Sequence, residues 1–144
     1  VKIPKEFIDD LGKYKMSDAT MTWLRNEVAQ NQGKIIALST HQMPHLFEGM
    51  DQILSEFGID LWLFGHAHCK HGDPSCTRHE ALGDFYQQAE TTFVDAGYIG
   101  NMESRYLIFT EGSKEVRILS RDHKNGAFPS SLEHTVTLRF AFSK

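Results

Sequence analysis

Two histidine-bearing stretches, each placed directly after a short apolar run, constrain the fold of this chain most strongly. The first run covers residues 35–38 and is followed by His41, and the second covers residues 61–64 and is followed by His66 and His68. Both runs are too short for a helix, so we expect two strands that are buried on both faces. Apolar residues at helical spacing fill the segment between them and end near Gly58, which predicts a helix.

A strand–helix–strand unit of this length predicts a right-handed crossover between parallel strands. Both strands then end at the same edge of the sheet, so His41, His66 and His68 are expected to meet there. Open parallel sheets bind ligands beyond the carboxyl ends of their strands. The three histidines are therefore predicted to form half of a metal site.

The second stretch is expected to continue extended through Gly65, so that alternation places His66 and His68 on one side. Glycine before the histidines is interpreted as a point where the backbone turns or a ligand approaches closely. Upstream, Ser17 is a predicted N-cap of an amphipathic helix that carries Leu24 and ends at Gly33, and Trp23 is expected to widen its buried face. Residues 1–15 are interpreted as a connecting segment.

Residues 69–90 are polar and are predicted to be a loop, either a wall of a cleft beside the histidines or a solvated surface segment. Cys69 and Cys76 are the only two cysteines and are compatible with free thiols, a local disulfide or a zinc clip with His71. His45, His71 and His79 are interpreted as solvated loop residues, since no spacing ties them to a common point.

From about residue 90 onward the sequence pattern changes to short segments bounded by turn residues. These segments predict antiparallel strands. These segments are residues 91–96, 105–110, 116–120 and 134–142. The last alternates apolar and other residues, which predicts one buried face. We therefore predict an α/β fold in a single domain spanning residues 1–144, with a metal-site half at 16–68, a loop at 69–90 and a second sheet at 91–144.

Composition sets broad limits on function. The chain has 144 residues, of which 40% are hydrophobic and 24% charged, as in a soluble globular domain. A net charge of −4 without a Lys or Arg cluster gives no nucleic-acid footprint. No apolar run approaches the ~20 residues needed to span a bilayer. The chain begins at Val1 rather than at a methionine, and we expect it to be part of something longer.

The order of these features resembles the later half of the calcineurin-like metallophosphoesterase superfamily. That half runs as a helix with a Trp-Leu pair, a strand ending in His with a nearby Pro, another helix, and a strand ending in Gly-His-x-His. Here these are Trp23-Leu24, His41 with Pro44, the helix around Ile53, and Gly65-His66-Ala67-His68. The resemblance implies a partial αββα metallophosphoesterase sandwich, in which the strand-rich residues 91–144 belong to the second sheet.

Two departures from the family pattern stand out. His41 and Pro44 form His-x-x-Pro, where the family more often has His-x-Pro. The family's upstream Asp-x-His, Gly-Asp and Gly-Asn-His motifs have no counterpart before residue 41, and the stretch at residues 100–103 is interpreted as a turn. We therefore expect a missing N-terminal portion of the same domain to complete the site.

The resemblance also implies the chemistry. Two divalent or trivalent metal ions (Mn, Fe or Zn) hold a bridging hydroxide that hydrolyses a phosphomonoester or phosphodiester substrate. By resemblance His41 and His66 bind the second metal, His68 binds the first, and His45 is a candidate substrate contact, while the proton donor comes from the missing portion. Two alternatives are a non-catalytic phosphoesterase-like scaffold or interaction module, and a small zinc-structured domain that uses His66, His68, Cys69, His71 and Cys76.

Overall fold

The computed structural model describes residues 14–76 and 82–143, and within these ranges the chain has a mixed α/β fold. Its helices are α1 (Asp18–Gln30) and α2 (Met50–Glu56). Its strands are β1 (Ala37–Ser39), β2 (Leu61–Phe64), β3 (Phe85–Gln88), β4 (Thr91–Asp95), β5 (Glu103–Phe109), β6 (Glu115–Asp122) and β7 (His134–Thr137). In this part of the chain no helix is long and apolar enough to cross a membrane. Most of the predicted lead-in at residues 1–15 lies outside the described residues.

Helix α1 begins where the sequence predicts. The Ser17 side chain accepts a hydrogen bond from the Thr20 N–H at 3.1 Å, as an N-cap does. Leu24 and Val28 are buried as expected. Trp23 is 56% exposed, so the prediction that it widens the buried face is wrong. The reason is geometric, since the residue before Leu24 lies about 100° around the helix from the buried stripe.

The first sheet has the strand order β1-β2-β4-β3. Strand β2 pairs in parallel with β1 on one side and with β4 on the other, while β3 pairs antiparallel with β4. The predicted parallel unit of strand, helix and strand is therefore confirmed. Burial on both faces is right for the central β2 but wrong for β1, which is an edge strand with Ala37 and Ser39 exposed.

Two predicted boundaries are corrected. The segment 69–90 is not all loop, because its last part contains β3. Strand β4 pairs with β2 and β3 in the first sheet, so the second sheet begins at Glu103 rather than at residue 91. This second sheet is antiparallel, with the order β5-β6-β7.

Alternation along β2 divides the core into two clusters. Trp62 and Phe64 belong to the cluster that also holds Leu24, Val28 and Ile53 from the helices. Leu61 belongs to the other cluster, which is shared with Val116, Ile118, Val136 and Leu138 of the second sheet and the segment after it. The first sheet is thus covered by helices on one face and by the antiparallel sheet on the other.

A buried carboxylate ties the segment after β7 to the parallel unit of the first sheet. Asp60, directly before β2, is 1% exposed and accepts the Ile36 N–H at 2.9 Å. Arg139 donates to both carboxylate oxygens, from Nε at 2.9 Å and from Nη2 at 2.8 Å, and Nη2 also donates to the Gly58 carbonyl. This bidentate pair fixes the segment after β7 against the start of the parallel unit.

Candidate metal centre

The ladder between β1 and β2 continues beyond the ends of both strands and aligns the two histidine stretches. The Thr40 N–H donates to the Leu63 carbonyl at 3.0 Å, and the Gly65 N–H donates to the His41 carbonyl at 3.3 Å. The buried Trp62 indole donates to the Thr40 hydroxyl at 2.9 Å, which anchors the segment before His41 to the core. Backbone pairing therefore brings the two stretches side by side.

The three predicted ligands meet at the carboxyl edge of the parallel strands. His41 Nε2 and His66 Nδ1 share a hydrogen bond of 3.1 Å, and the ring centroids of His66 and His68 are 6.1 Å apart. All three side chains are exposed. The structure brings His41, His66 and His68, here called the histidine cluster, to one edge of the sheet, and their role as metal ligands stays a prediction.

The backbone reaches this arrangement by another route than the predicted one. Strand β2 ends at Phe64, and His66 and His68 take left-handed conformations with φ of 70° and 58°. Extended alternation through Gly65 is therefore wrong. A Cβ at Gly65 would meet the His41 carbonyl oxygen at an ordinary 3.8 Å, so the structure gives no steric reason for glycine there.

His68 is held by a segment that the sequence did not single out. The Tyr98 ring stacks on its imidazole with centroids 4.1 Å apart and planes 12° apart. Asn101 Nδ2 donates to the His68 carbonyl at 3.2 Å. Both residues follow β4, whose carboxyl end lies beside that of β2, so the parallel pairing of β4 was the signal that could have found them. The predicted turn at residues 100–103 lies in this segment, where a 3-10 helix spans Ile99–Asn101.

The remaining histidines lie elsewhere. His45 is in the 3-10 helix Pro44–Leu46 and is only 6% exposed, so the expectation of a solvated side chain is wrong for it. Its contact with substrate is untested and stays a prediction. His71 is 5% exposed, and its Nδ1 hydrogen-bonds to the Ser120 hydroxyl, so the expectation of a solvated side chain is wrong. The His71 side chain is buried against the equally buried Ser120 of β6, a contact that the local sequence does not reveal. His79 lies outside the described residues.

A disulfide joins Cys69 to Cys76, with Cα atoms 5.9 Å apart. Of the three alternatives for these cysteines the structure therefore contains the local disulfide, and a zinc clip through these sulfurs is wrong because neither is a thiolate. The zinc-structured domain loses two of its ligands for the same reason. The bridged loop forms part of an open cleft of about 470 Å³ beside His68, together with Lys70 and Asn101.

A buried arginine lies below this loop. The Arg105 guanidinium pairs with Asp84, and its Nε donates to the Asp95 carbonyl at 3.2 Å. Burial lowers the pKa of Arg105, and the neighbouring carboxylates oppose that effect. Asp84 also accepts the Gly72 N–H at 3.1 Å. These contacts link the bridged loop, through Gly72, to Asp84 before β3 and to the end of β4.

Within residues 14–76 and 82–143, no group of three or more His, Cys, Asp or Glu side chains is arranged to hold one metal ion. The chain matches no protein-family model, no curated protein and no solved structure. Any function proposed for the chain therefore rests on the geometry of the histidine cluster.

Proposed function

We propose that this chain is the later part of a metal-dependent phosphoric ester hydrolase of the calcineurin-like metallophosphoesterase type. The observation that carries the proposal is the 3.1 Å separation between His41 Nε2 and His66 Nδ1, two nitrogens delivered by neighbouring parallel strands. His68 lies beside them. Phosphatase or phosphodiesterase activity at a dinuclear metal centre is the corresponding function.

The spacing of the two nitrogens fits a metal ion. Zinc–imidazole bonds are about 2.0 to 2.1 Å long, so two nitrogens on one metal at angles between 90° and tetrahedral lie roughly 2.8 to 3.4 Å apart. The 3.1 Å between His41 and His66 falls within this interval. Neutral imidazoles suit zinc, iron and manganese alike, so the donor set selects transition metals without choosing among them.

The three histidines have separate roles in this proposal. His41 and His66 would bind one metal ion, and His68 would bind its neighbour. In two-metal sites the ions are about 3.5 to 4 Å apart. The ring centroids of His66 and His68 are 6.1 Å apart, which is compatible with one imidazole on each of two such ions. When bound, such a metal pair lowers the pKa of water and stabilises charge that develops on phosphoryl oxygens.

The cleft beside His68 is a suitable place for the substrate. Its lining includes the Lys70 ammonium and the Asn101 amide, which can bind the oxygens of a phosphate ester. The His68 backbone and the bridged loop are each fixed by contacts to other elements, so the chain's own residues would bind and orient the substrate on a rigid surface.

The site needs further ligands, and β1, which forms an edge of the first sheet within residues 14–76 and 82–143, offers a way to supply them. Strand β1 is at the end of the sheet order, and Ala37 and Ser39 are exposed. An apolar cavity of about 240 Å³ lies beside it, lined by Trp23, Ile35 and Leu38 among others. Unpaired strand edges are usually covered. In this proposal the upstream portion of the same domain covers β1 and brings the bridging aspartate, the asparagine and the proton-donating histidine.

The test measures Mn²⁺-dependent hydrolysis of bis-para-nitrophenyl phosphate by this 144-residue chain and by a longer chain that begins at the start codon of its gene. We expect activity in the longer chain only, and its loss in His68→Ala. The matched control is His123→Ala, which removes an exposed histidine that directly follows β6, hydrogen-bonds to Ser104 and is not part of the histidine cluster.

The other outcomes separate the alternatives. A longer chain that binds no Mn²⁺ and hydrolyses neither this substrate nor para-nitrophenyl phosphate would point to a non-catalytic scaffold. Activity in the 144-residue chain alone would show that the ligand assignment is wrong, because residues outside the histidine cluster would then complete the site.

A further inference from the structure

His68 adopts a conformation that its neighbours must maintain. Its φ of 58° lies in the left-handed region, which is unfavourable for a residue with a side chain and persists only where the surroundings enforce it. The side chain is exposed, so core packing does not enforce it. Tyr98 and Asn101, in the segment after β4, contact His68 instead.

Two of these contacts fix the imidazole and its backbone separately. The Tyr98 ring lies parallel to the His68 ring, with centroids 4.1 Å apart and planes 12° apart. Asn101 donates to the His68 carbonyl at 3.2 Å. Tyr98 is itself 36% exposed, so the stack is a surface contact rather than a consequence of burial.

Gly100 sets the position of the tyrosine. A Cβ at residue 100 would come within 2.4 Å of Tyr98 Cε1, 2.5 Å of Cζ and 2.7 Å of the hydroxyl oxygen. The backbone of Gly100 is not in the left-handed region, so the cost of an alanine there is that the Tyr98 ring must move from its place. The segment is therefore shaped to let Tyr98 lie against His68.

We infer that Tyr98, supported by Gly100, and Asn101 are positioning residues that hold the His68 imidazole in its metal-binding orientation. A stacked ring occupies the face of an imidazole and leaves both nitrogens at its rim for a ligand. A metal-bound imidazole is also more electron-poor than a free one, which strengthens its attraction to the face of a tyrosine. Metal binding and stacking therefore favour each other, as linkage requires.

This inference rests on the proposed function, because it takes His68 to be a ligand. Its test uses Zn²⁺ titration calorimetry of the longer chain, with Tyr98→Ala, Tyr98→Phe and Gly100→Ala. Outer contacts to metal-binding histidines typically change affinity by 10- to 100-fold, and we expect Tyr98→Ala and Gly100→Ala each to weaken Zn²⁺ binding about tenfold. Tyr98→Phe keeps the stacked face, so it should stay within about twofold of the wild type.

The double variant Gly100→Ala/Tyr98→Ala sharpens the test. Gly100→Ala alone should weaken Zn²⁺ binding. The double variant should bind Zn²⁺ as Tyr98→Ala does, because the alanine at residue 100 acts only through the Tyr98 ring. The matched control is Tyr106→Ala, an exposed tyrosine on β5 that contacts Phe128 instead, and it should leave the Zn²⁺ affinity unchanged.

A second readout needs no metal. In NMR spectra the ring current of Tyr98 should shift the His68 ring protons upfield, and Tyr98→Ala and Gly100→Ala should remove that shift. Wild-type Zn²⁺ affinity in both variants, together with weakened binding in His68→Ala, would overturn the positioning role and leave the proposed function standing. Wild-type affinity in His68→Ala would overturn the ligand assignment and this inference together.

Discussion

At the scale of single residues, His68 combines an exposed imidazole with a backbone conformation that suits glycine. Glycine adopts positive φ without the penalty that a Cβ brings, which is about 1 to 2 kcal/mol per residue. We therefore expect His68→Gly to be more stable than His68→Ala by about 1 kcal/mol, measured as the free energy of unfolding in urea. Both variants lose the imidazole, so the difference isolates the backbone.

His123 provides the control for that comparison. It is exposed and does not have a positive φ, so glycine there should be no more stable than alanine. Equal stabilities of the two His68 variants would contradict the left-handed conformation of residue 68.

Sequence reasoning located the histidine cluster but not what surrounds it. His41, His66 and His68 were predictable because parallel pairing is a rule of topology and does not depend on side-chain detail. The left-handed turns at His66 and His68, the burial of His71 and the stack of Tyr98 depend on contacts between residues distant in sequence. No local pattern encodes such contacts.

At the scale of elements, the bridged loop at residues 69–76 is held by a disulfide and by hydrogen bonds to Glu103, Ser120 and Asp84. The disulfide closes it across a sequence separation of 7, and the His71 N–H donates to the Glu103 carboxylate at 3.0 Å. Replacing both cysteines by serine should lower the free energy of unfolding by about 2 kcal/mol, since a short closed loop restricts the unfolded chain. Urea unfolding measures this difference.

The hydrogen bonds of the bridged loop lead to a second expected outcome for the same variant. Because His71 and Gly72 still hold the loop to Glu103 and Asp84, the NMR ring shift of His68 should survive in the Cys69→Ser/Cys76→Ser variant. A reducing agent should destabilise the wild type and leave this variant unaffected. Loss of the ring shift would mean that the disulfide alone orders the segment after His68.

The strands that sequence reasoning missed or misassigned have identifiable causes. Strand β3 lies in a polar segment, and its two-residue turn to β4 places Ala89 at a φ of 52° where glycine or asparagine is the usual signal. Strand β4 was recognised, but its membership of the first sheet depends on pairing with β2 across 30 residues. Helix α1 was predictable because its N-cap and its buried face are set by residues that are close together in sequence.

At the scale of the whole molecule, Asp60 and Arg139 join the parallel unit to the segment after β7. Arg139→Met would leave the buried Asp60 carboxylate without its cation, and such losses typically cost about 3 to 5 kcal/mol. Arg139 is 28% exposed, so water can compensate in part and we expect about 3 kcal/mol. Chemical denaturation measures this loss.

The matched control is Arg117→Met, which removes an arginine whose side chain is 53% exposed from its pair with Glu133. Exposed pairs contribute about 0 to 1 kcal/mol, so this variant should be nearly neutral. Adding Asp60→Asn to Arg139→Met should recover part of the loss, because the buried charge is then gone. Equal losses in the two arginine variants would show that Asp60 is not buried as described.

The link between Asp60 and Arg139 has a consequence for how the protein emerges from the ribosome. The two residues are 79 positions apart, and at about 5 to 20 residues per second their synthesis is separated by roughly 4 to 16 s. During that interval the nascent β2 has no second sheet to cover it, and Asp60 has no cation. For several seconds, therefore, the incomplete first sheet of the nascent chain is accessible to chaperones and to other nascent chains.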